Sequence, residues 1–212
     1  MYDQYELIAT QYAETFAGEF DVRPFDRAII RSFAELVTRS GGDHALDVGC
    51  GPGQAACELA DCGLRVEGID GSPAMVAIAQ QRCPQVPFQV ADMIELPYDD
   101  GSFAAVCAWY SIIHTPADSL PELFREFRRV LSDTGWLLLG FQTDAAPLTF
   151  DHAFGHDVAM TFLRHDVSTV RGALESAGFM HYATARRDRQ ESLSETADQA
   201  FVIAQCRSDH AG

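Results

Sequence analysis

The chain has 212 residues, 47% hydrophobic and 10% aromatic, which suits one folded domain burying roughly 70% of its extended-chain surface and excludes a disordered chain. Thirty-one acidic against 15 basic residues give a formal charge of −16. No Lys/Arg cluster offsets that field, so nucleic acid is not an expected partner.

Taken in chain order, Tyr5, Ile8, Tyr12 and Phe16 recur at a spacing near 3.6 and predict a helix over residues 2–17. Phe25, Ile29, Phe33, Leu36 and Val37 predict a second helix, opened by Pro24 and closed by Gly41-Gly42. Strands and helices then alternate: strand 44–48, helix 54–62, strand 64–69, and helix 72–81 with a Ser-Pro start that supplies a cap and a first-turn proline. Strands 86–90 and 103–109 follow, then helix 118–131 with Leu120, Leu123, Phe124, Phe127, Val130 and Leu131 on one stripe, then strand 136–141. Such alternation predicts a parallel sheet covered on both faces, with ligands at the carboxyl ends of its strands. Residues 142–165 read as a long loop on the acceptor side, without strand or helix assigned. A helix at 166–177 and two closely spaced strands, 182–187 and 200–206, complete the pattern; their short connection predicts an antiparallel pair. The arginines at 125, 128, 129, 186, 187 and 189 are interleaved with acids and read as solvated faces. The six cysteines include no C-x-x-C pair and read as reduced thiols in a cytoplasm. No apolar stretch approaches 18 residues and the start, MYDQYELIATQYAE, is polar and amphipathic, so neither a membrane span nor export is expected.

The run ALDVGCGPGQ, residues 45–54, carries most of the functional information. A strand that ends in Asp47-Val-Gly49-Cys50-Gly51-Pro52-Gly53 and turns directly into a helix brings backbone N–H groups against whatever lies above the sheet. A tight turn without a ligand is the plain reading; three alternating glycines cost more conformational entropy than such a turn requires. Gly51-x-Gly53-x-x-Ala56 also fits a dinucleotide fingerprint, which keeps an NAD-dependent oxidoreductase open as an alternative. Against that, its register is late, and Asp47 sits poorly beside a pyrophosphate. Asp70 in VEGID stands where it can accept from both hydroxyls of a ribose, and Asp92 in VADM where it can reach an adenine amino group. Three acids at three adjacent strand ends point to a nucleoside without phosphates.

On these residues the chain resembles the class I S-adenosylmethionine-dependent methyltransferases, in particular the small-molecule group. The resemblance implies an α/β, Rossmann-like three-layer sandwich: a seven-stranded, mostly parallel sheet with an antiparallel last strand and an N-terminal helical lid. It spans roughly residues 40–207. The implied organisation is a single domain over 1–212, with lid helices at 1–40, a cofactor-binding core at 44–141, the acceptor-side loop or helices at 142–165, and a C-terminal helix and strand pair at 166–207. The implied cofactor is S-adenosyl-L-methionine, leaving as S-adenosyl-L-homocysteine. The glycine loop would hold the methionine part through Asp47, Gly49, Cys50, Gly51, Gly53 and Gln54. Asp70 is the implied ribose acid with Gly71 beside it, Asp92 the adenine-side acid with Met93, and Met75 an apolar adenine contact. Ala108 and Tyr12 complete the implied cofactor set. CAWYSIIHT, with His114, matches the segment that faces sulfonium and acceptor. Where the family often has Phe-Asp before its fourth strand, this chain has Phe103-Ala104.

Methyl transfer is an in-line displacement that requires alignment and exclusion of water more than a strong acid or metal. A hydroxyl or carbon-acid acceptor needs a base, and His114 is the candidate. Trp109, Tyr110, His152 and His156 are candidate acceptor contacts; the last two, four apart, would share a face if that stretch were helical. Tyr2, Tyr5 and Tyr12 are candidates for a lid face. No metal is expected, and the expected partner is a small-molecule acceptor met by a monomer or homodimer. The remaining alternative is a non-catalytic S-adenosylmethionine-binding regulatory module.

Overall fold

The computed structural model describes residues 2–207. The N-terminal stretch before the first strand is helical: α1 (Tyr2–Thr15), a single turn α2 (Glu19–Val22) and α3 (Pro24–Arg39). Pro24 occupies the first turn of α3, where its missing N–H is no loss, and Ile30, Phe33, Ala34 and Val37 form the buried stripe. The alternating core follows as β1 (His44–Val48), α4 (Gln54–Asp61), β2 (Arg65–Asp70), α5 (Pro73–Arg82), β3 (Phe88–Val90), β4 (Phe103–Trp109), α6 (Leu120–Val130) and β5 (Leu131–Thr143). Ser72 caps α5 by accepting from the Met75 N–H at 3.2 Å. In α6 the residues Leu120, Leu123, Phe124, Phe127 and Val130 are all buried, each large apolar side chain contributing about 1.5–3 kcal/mol.

Next come β6 (Leu148–Ala153), β7 (His156–Phe162), α7 (Val167–Ser176), β8 (Phe179–Arg187) and β9 (Asp198–Cys206). The main sheet has seven strands in the order β3-β2-β1-β4-β5-β9-β8. Strand β9 is antiparallel to both β5 and β8, and the other neighbours are parallel. The final strand therefore enters the sheet between β5 and β8. Alternation along the strands divides the core. Val106 and Ala108 face α6 and α7, while Ala105, Cys107 and Trp109 face α3, α4 and α5.

Two differences from the sequence expectation stand out. Strand β5 runs on to Thr143, because β9 pairs with it from Trp136 through Thr143. Residues 142–165 are not an unstructured loop or helices: they hold a hairpin, β6 paired with β7, turning at Phe154 and Gly155, both with positive φ. Two positive-φ residues are what a tight hairpin turn requires, and Phe-Gly is a weaker signal for one than Asn-Gly. The alternation Val158-x-Met160-x-Phe162 was the legible sign. Val158 and Met160 bury against Ile8 of α1, with Tyr5 and Phe162 packed beside them. The Ala159 N–H donates to Gln4 Oε1 at 2.9 Å, so lid helix and hairpin form one cover over the strand ends.

Candidate active site

Beyond the carboxyl ends of β1, β2 and β4 lies a cavity of about 450 Å³, within the range of small-molecule sites. Its floor begins where β1 ends. Gly49 has φ +68, and a Cβ there would stand 2.4 Å from the Cβ of Ser111, so only glycine lets the loop pass this close to the β4 exit. The Cys50 N–H donates to Ile69 O at 2.8 Å, tying the loop to β2.

Asp70, at the end of β2, closes the other side. One oxygen accepts from the Gly51 N–H at 2.9 Å and the other from the Ser72 N–H at 2.8 Å. Burial raises its carboxyl while these two amides hold it down. A carboxylate offers about four acceptor positions, so Asp70 keeps acceptor capacity for a ligand. Asp47 is different: it is fully buried, and neither oxygen has a hydrogen-bond partner of good geometry. Desolvation pushes it up to about 7, with a partial offset from the Ala56 amide.

The lid is tied to this floor by polar contacts. Glu6 accepts from the Ser72 hydroxyl at 2.6 Å and from the Ala74 N–H at 3.0 Å. Arg82 donates to Pro52 O at 3.0 Å and to Ala13 O at 3.1 Å, joining the glycine loop and α1 through one guanidinium.

A row of rings runs from His114 through Tyr5 and Tyr12 to Phe16, with neighbouring centroids 4.6 to 5.9 Å apart. At its start the Tyr5 hydroxyl lies 2.7 Å from His114 Nε2, and Phe162 of the hairpin packs 5.4 Å from the imidazole. Burial pushes His114 down to about 4, so at neutral pH the ring is uncharged and its unprotonated nitrogen can take a proton. Leu148, Phe150 and Ile113 make this end apolar. Tyr110 holds a left-handed conformation, φ 55, and its hydroxyl donates to Gln199 Oε1 at 2.7 Å. Such a conformation is uncommon for a bulky residue and clusters at functional sites.

Of the residues anticipated for the cofactor, Asp47, Gly49, Cys50, Gly51, Gln54, Asp70, Gly71, Met75, Met93 and Tyr12 line this cavity, as do Trp109, Tyr110 and His114. Three do not. Gly53 starts α4 with φ +86 and packs beneath the loop, where a Cβ would meet Ala79 at 3.1 Å. Ala108 points to the opposite face of the sheet, into the core under α6. Asp92 is exposed and accepts from the Ile94 N–H at 3.1 Å, a local turn contact, while its neighbours Ala91 and Met93 face the cavity. His152 and His156 are also outside the lining: they flank the hairpin tip on opposite strands, His152 exposed and 3.1 Å from Asp157. A strand pair cannot present positions four apart as a helix does. The side chain of Tyr2 falls outside the described residues. Glu19, Arg23, Glu195 and Gln199 line the cavity without having been anticipated, because only tertiary packing brings α2 with its junction to α3, the β8–β9 connection and the start of β9 to the glycine loop.

A family model described as a methyltransferase domain matches residues 45–135, from β1 into β5. Over that stretch the chain is similar to a methyltransferase domain, and its fold is that of the SAM-dependent methyltransferases. The domain is 37% identical to 27-O-demethylrifamycin SV methyltransferase of Amycolatopsis mediterranei, over 50% of this chain and 41% of that protein. It is 31% identical to the ubiquinone/menaquinone biosynthesis C-methyltransferase of Citrifermentans bemidjiense, over 59% of this chain and 57% of that one. The chain spans about half the length of the curated relatives it matches. Among solved structures, a SAM-dependent methyltransferase from Methanosarcina mazei superposes with a TM-score of 0.71 at 16% identity, covering 79% of this chain and 94% of that one. Magnesium protoporphyrin IX methyltransferase from Synechocystis, solved with bound SAM, gives 0.65 at 23% identity, covering 89% and 82%. At these identities the structures speak for the methyltransferase fold.

Proposed function

We propose that this domain binds S-adenosylmethionine and transfers its methyl group to a small-molecule acceptor by in-line displacement. The observation that carries the reading is the Gly51 N–H committed to Asp70 at 2.9 Å. A loop whose amide already holds a carboxylate repels a pyrophosphate, which removes the support for a nicotinamide dinucleotide, and it suits a nucleoside that brings hydroxyls and cations. With its spare acceptor capacity Asp70 takes the ribose hydroxyls. Ala91, Met75 and Met93 supply an apolar slot for the adenine. Asp47, buried without a partner, faces the part of the cavity where the cationic methionine end belongs.

When bound, the cofactor supplies an electrophilic methyl on a sulfonium. The chain's own residues align the acceptor, exclude water and move a proton. α1 and the β6–β7 hairpin close the cavity, so the acceptor reacts away from bulk solvent. Neutral His114 serves as the base for a hydroxyl or carbon acid, with Tyr5 holding the imidazole until the acceptor arrives. Phe150, Phe162, Leu148 and Ile113 fit an acceptor with an apolar or aromatic body. The six free cysteines accord with the cytoplasmic location expected from the sequence. Isothermal titration with S-adenosylhomocysteine and with NAD tests the reading: binding of the first and not the second is expected, and failure to bind S-adenosylhomocysteine overturns it.

A further inference from the structure

The cavity wall carries one fixed positive charge among the described residues, Arg23, at the junction of α2 and α3. Its side chain is 15% exposed and its guanidinium is only partly used. Nε donates to Glu195 Oε1 at 3.1 Å. Glu19 Oε2 lies 3.9 Å from one terminal nitrogen, beyond hydrogen-bond distance. Both terminal nitrogens thus keep donors available.

A chain of buried ion pairs fixes that orientation. Asp26 takes two bonds from Arg187, at 2.7 and 3.0 Å. Arg187 in turn gives two to Glu195, at 2.7 and 2.9 Å, and the Gln190 N–H gives Glu195 another at 2.8 Å. Asp26, Arg187 and Glu195 are each nearly excluded from solvent. Glu195 is therefore locked, and it grips Arg23 by Nε alone. A guanidinium held this way presents its planar fork to the cavity, the geometry that matches a carboxylate with two parallel bonds.

Position decides which carboxylate. The segment carrying Arg23 abuts the glycine-loop side: Phe16 O accepts from Gln54, the first residue of α4, at 3.3 Å, and Phe20 packs 6.0 Å from Trp109 at the end of β4. His114 stands at the far end of the ring row that finishes at Phe16. We propose that Arg23 is the anchor for the α-carboxylate of the cofactor's amino-acid tail, an assignment that rests on the methyl-transfer reading above. Asp26, Arg187 and Glu195 are its positioning residues. Their charges with Arg23 sum to zero, and a zwitterionic tail adds none. Glu19 is pushed up to about 7, chiefly by burial, so near neutral pH it competes only in part for the same fork.

The test compares two ligands on one protein. S-Adenosylhomocysteine carries the amino-acid tail; 5′-methylthioadenosine has the same nucleoside and sulfur without it. In isothermal titration of the full chain, Arg23→Met is expected to weaken S-adenosylhomocysteine by about 10- to 100-fold, the range of a lost charge-assisted hydrogen-bond pair. Its affinity for methylthioadenosine should stay within about twofold. Arg23→Lys, which keeps the charge and loses the fork, should fall between parent and methionine variant for the first ligand alone. Equal loss for both ligands makes Arg23 a structural residue and overturns the assignment. Unchanged affinity for both overturns it too and moves any carboxylate at this fork to the acceptor. Failure of the parent to bind either ligand is a different result: it removes the methyl-transfer reading itself and the assignment with it.

Discussion

Asp47→Asn is expected to make the protein more stable above neutral pH while weakening its grip on the cofactor. In the parent, burial raises the carboxyl from 3.8 to about 7 against a partial offset from the Ala56 amide, with no hydrogen bond of good geometry on either oxygen. The folded state thus holds a proton that the unfolded chain has already lost between those two values. The stability tied to that proton is complete below pH 3.8, is lost progressively as pH rises, and is gone above about pH 7. At about 1.4 kcal/mol per tenfold in proton affinity, the gap costs the folded state about 4 kcal/mol at pH 8. Asparagine carries no charge, so it avoids that cost; its buried amide brings donors of its own, a penalty of about 1–3 kcal/mol if they stay unpaired. The net expectation is a gain of about 1–3 kcal/mol at pH 8 that shrinks toward pH 5 and reverses near pH 4. Urea unfolding of parent and variant at pH 8 and pH 5 measures it. A variant less stable than the parent at pH 8, or an equal difference at both pH values, refutes the account of Asp47 as a buried, unpaired acid.

Three further expectations concern the same cavity. Asp70→Ala removes the acceptor of the Gly51 and Ser72 amides and of the ribose hydroxyls; it should weaken S-adenosylhomocysteine by about 1.5–3 kcal/mol in titration calorimetry, and unchanged affinity removes Asp70 from the ribose role. His114→Gln should lower the turnover of a hydroxyl acceptor by about 10²- to 10⁴-fold while leaving S-adenosylhomocysteine binding intact. In the parent the rate should fall only as pH drops toward about 4, where His114 gains its proton; a limb near 6.5 contradicts a buried neutral base. Gly49→Ala places a Cβ 2.4 Å from that of Ser111 at φ +68, and thermal unfolding should show a loss of about 1–3 kcal/mol or more.

The local rules written into the chain reach a long way. Strand β4 is read without error because its seven residues, Phe103–Trp109, are all apolar or small and follow a turn signal at Gly101-Ser102, and α6 because its stripe leaves a helix no alternative face. The acids at the ends of β1 and β2 were legible for the same reason: a strand's carboxyl end is visible from its own pattern, and so is a glycine loop that follows it. Those features depend on neighbours in sequence. Asp92 shows the limit, since a one-residue difference in where its turn bends decides whether 92 or its neighbours 91 and 93 face the cavity. The hairpin at 148–162 was obscured because its turn lacks asparagine or aspartate and because Val158 and Met160 bury against Ile8 and Tyr5 of α1, more than a hundred residues earlier. Composition, strand ends and the glycine loop were thus set by the sequence alone, through propensity and periodicity. The lid over the cavity, the Tyr5–His114 contact across 109 positions and the buried chain from Asp26 through Arg187 and Glu195 to Arg23 were decided only by tertiary packing, because charges pair with whatever the fold brings near them and no local pattern records the partner.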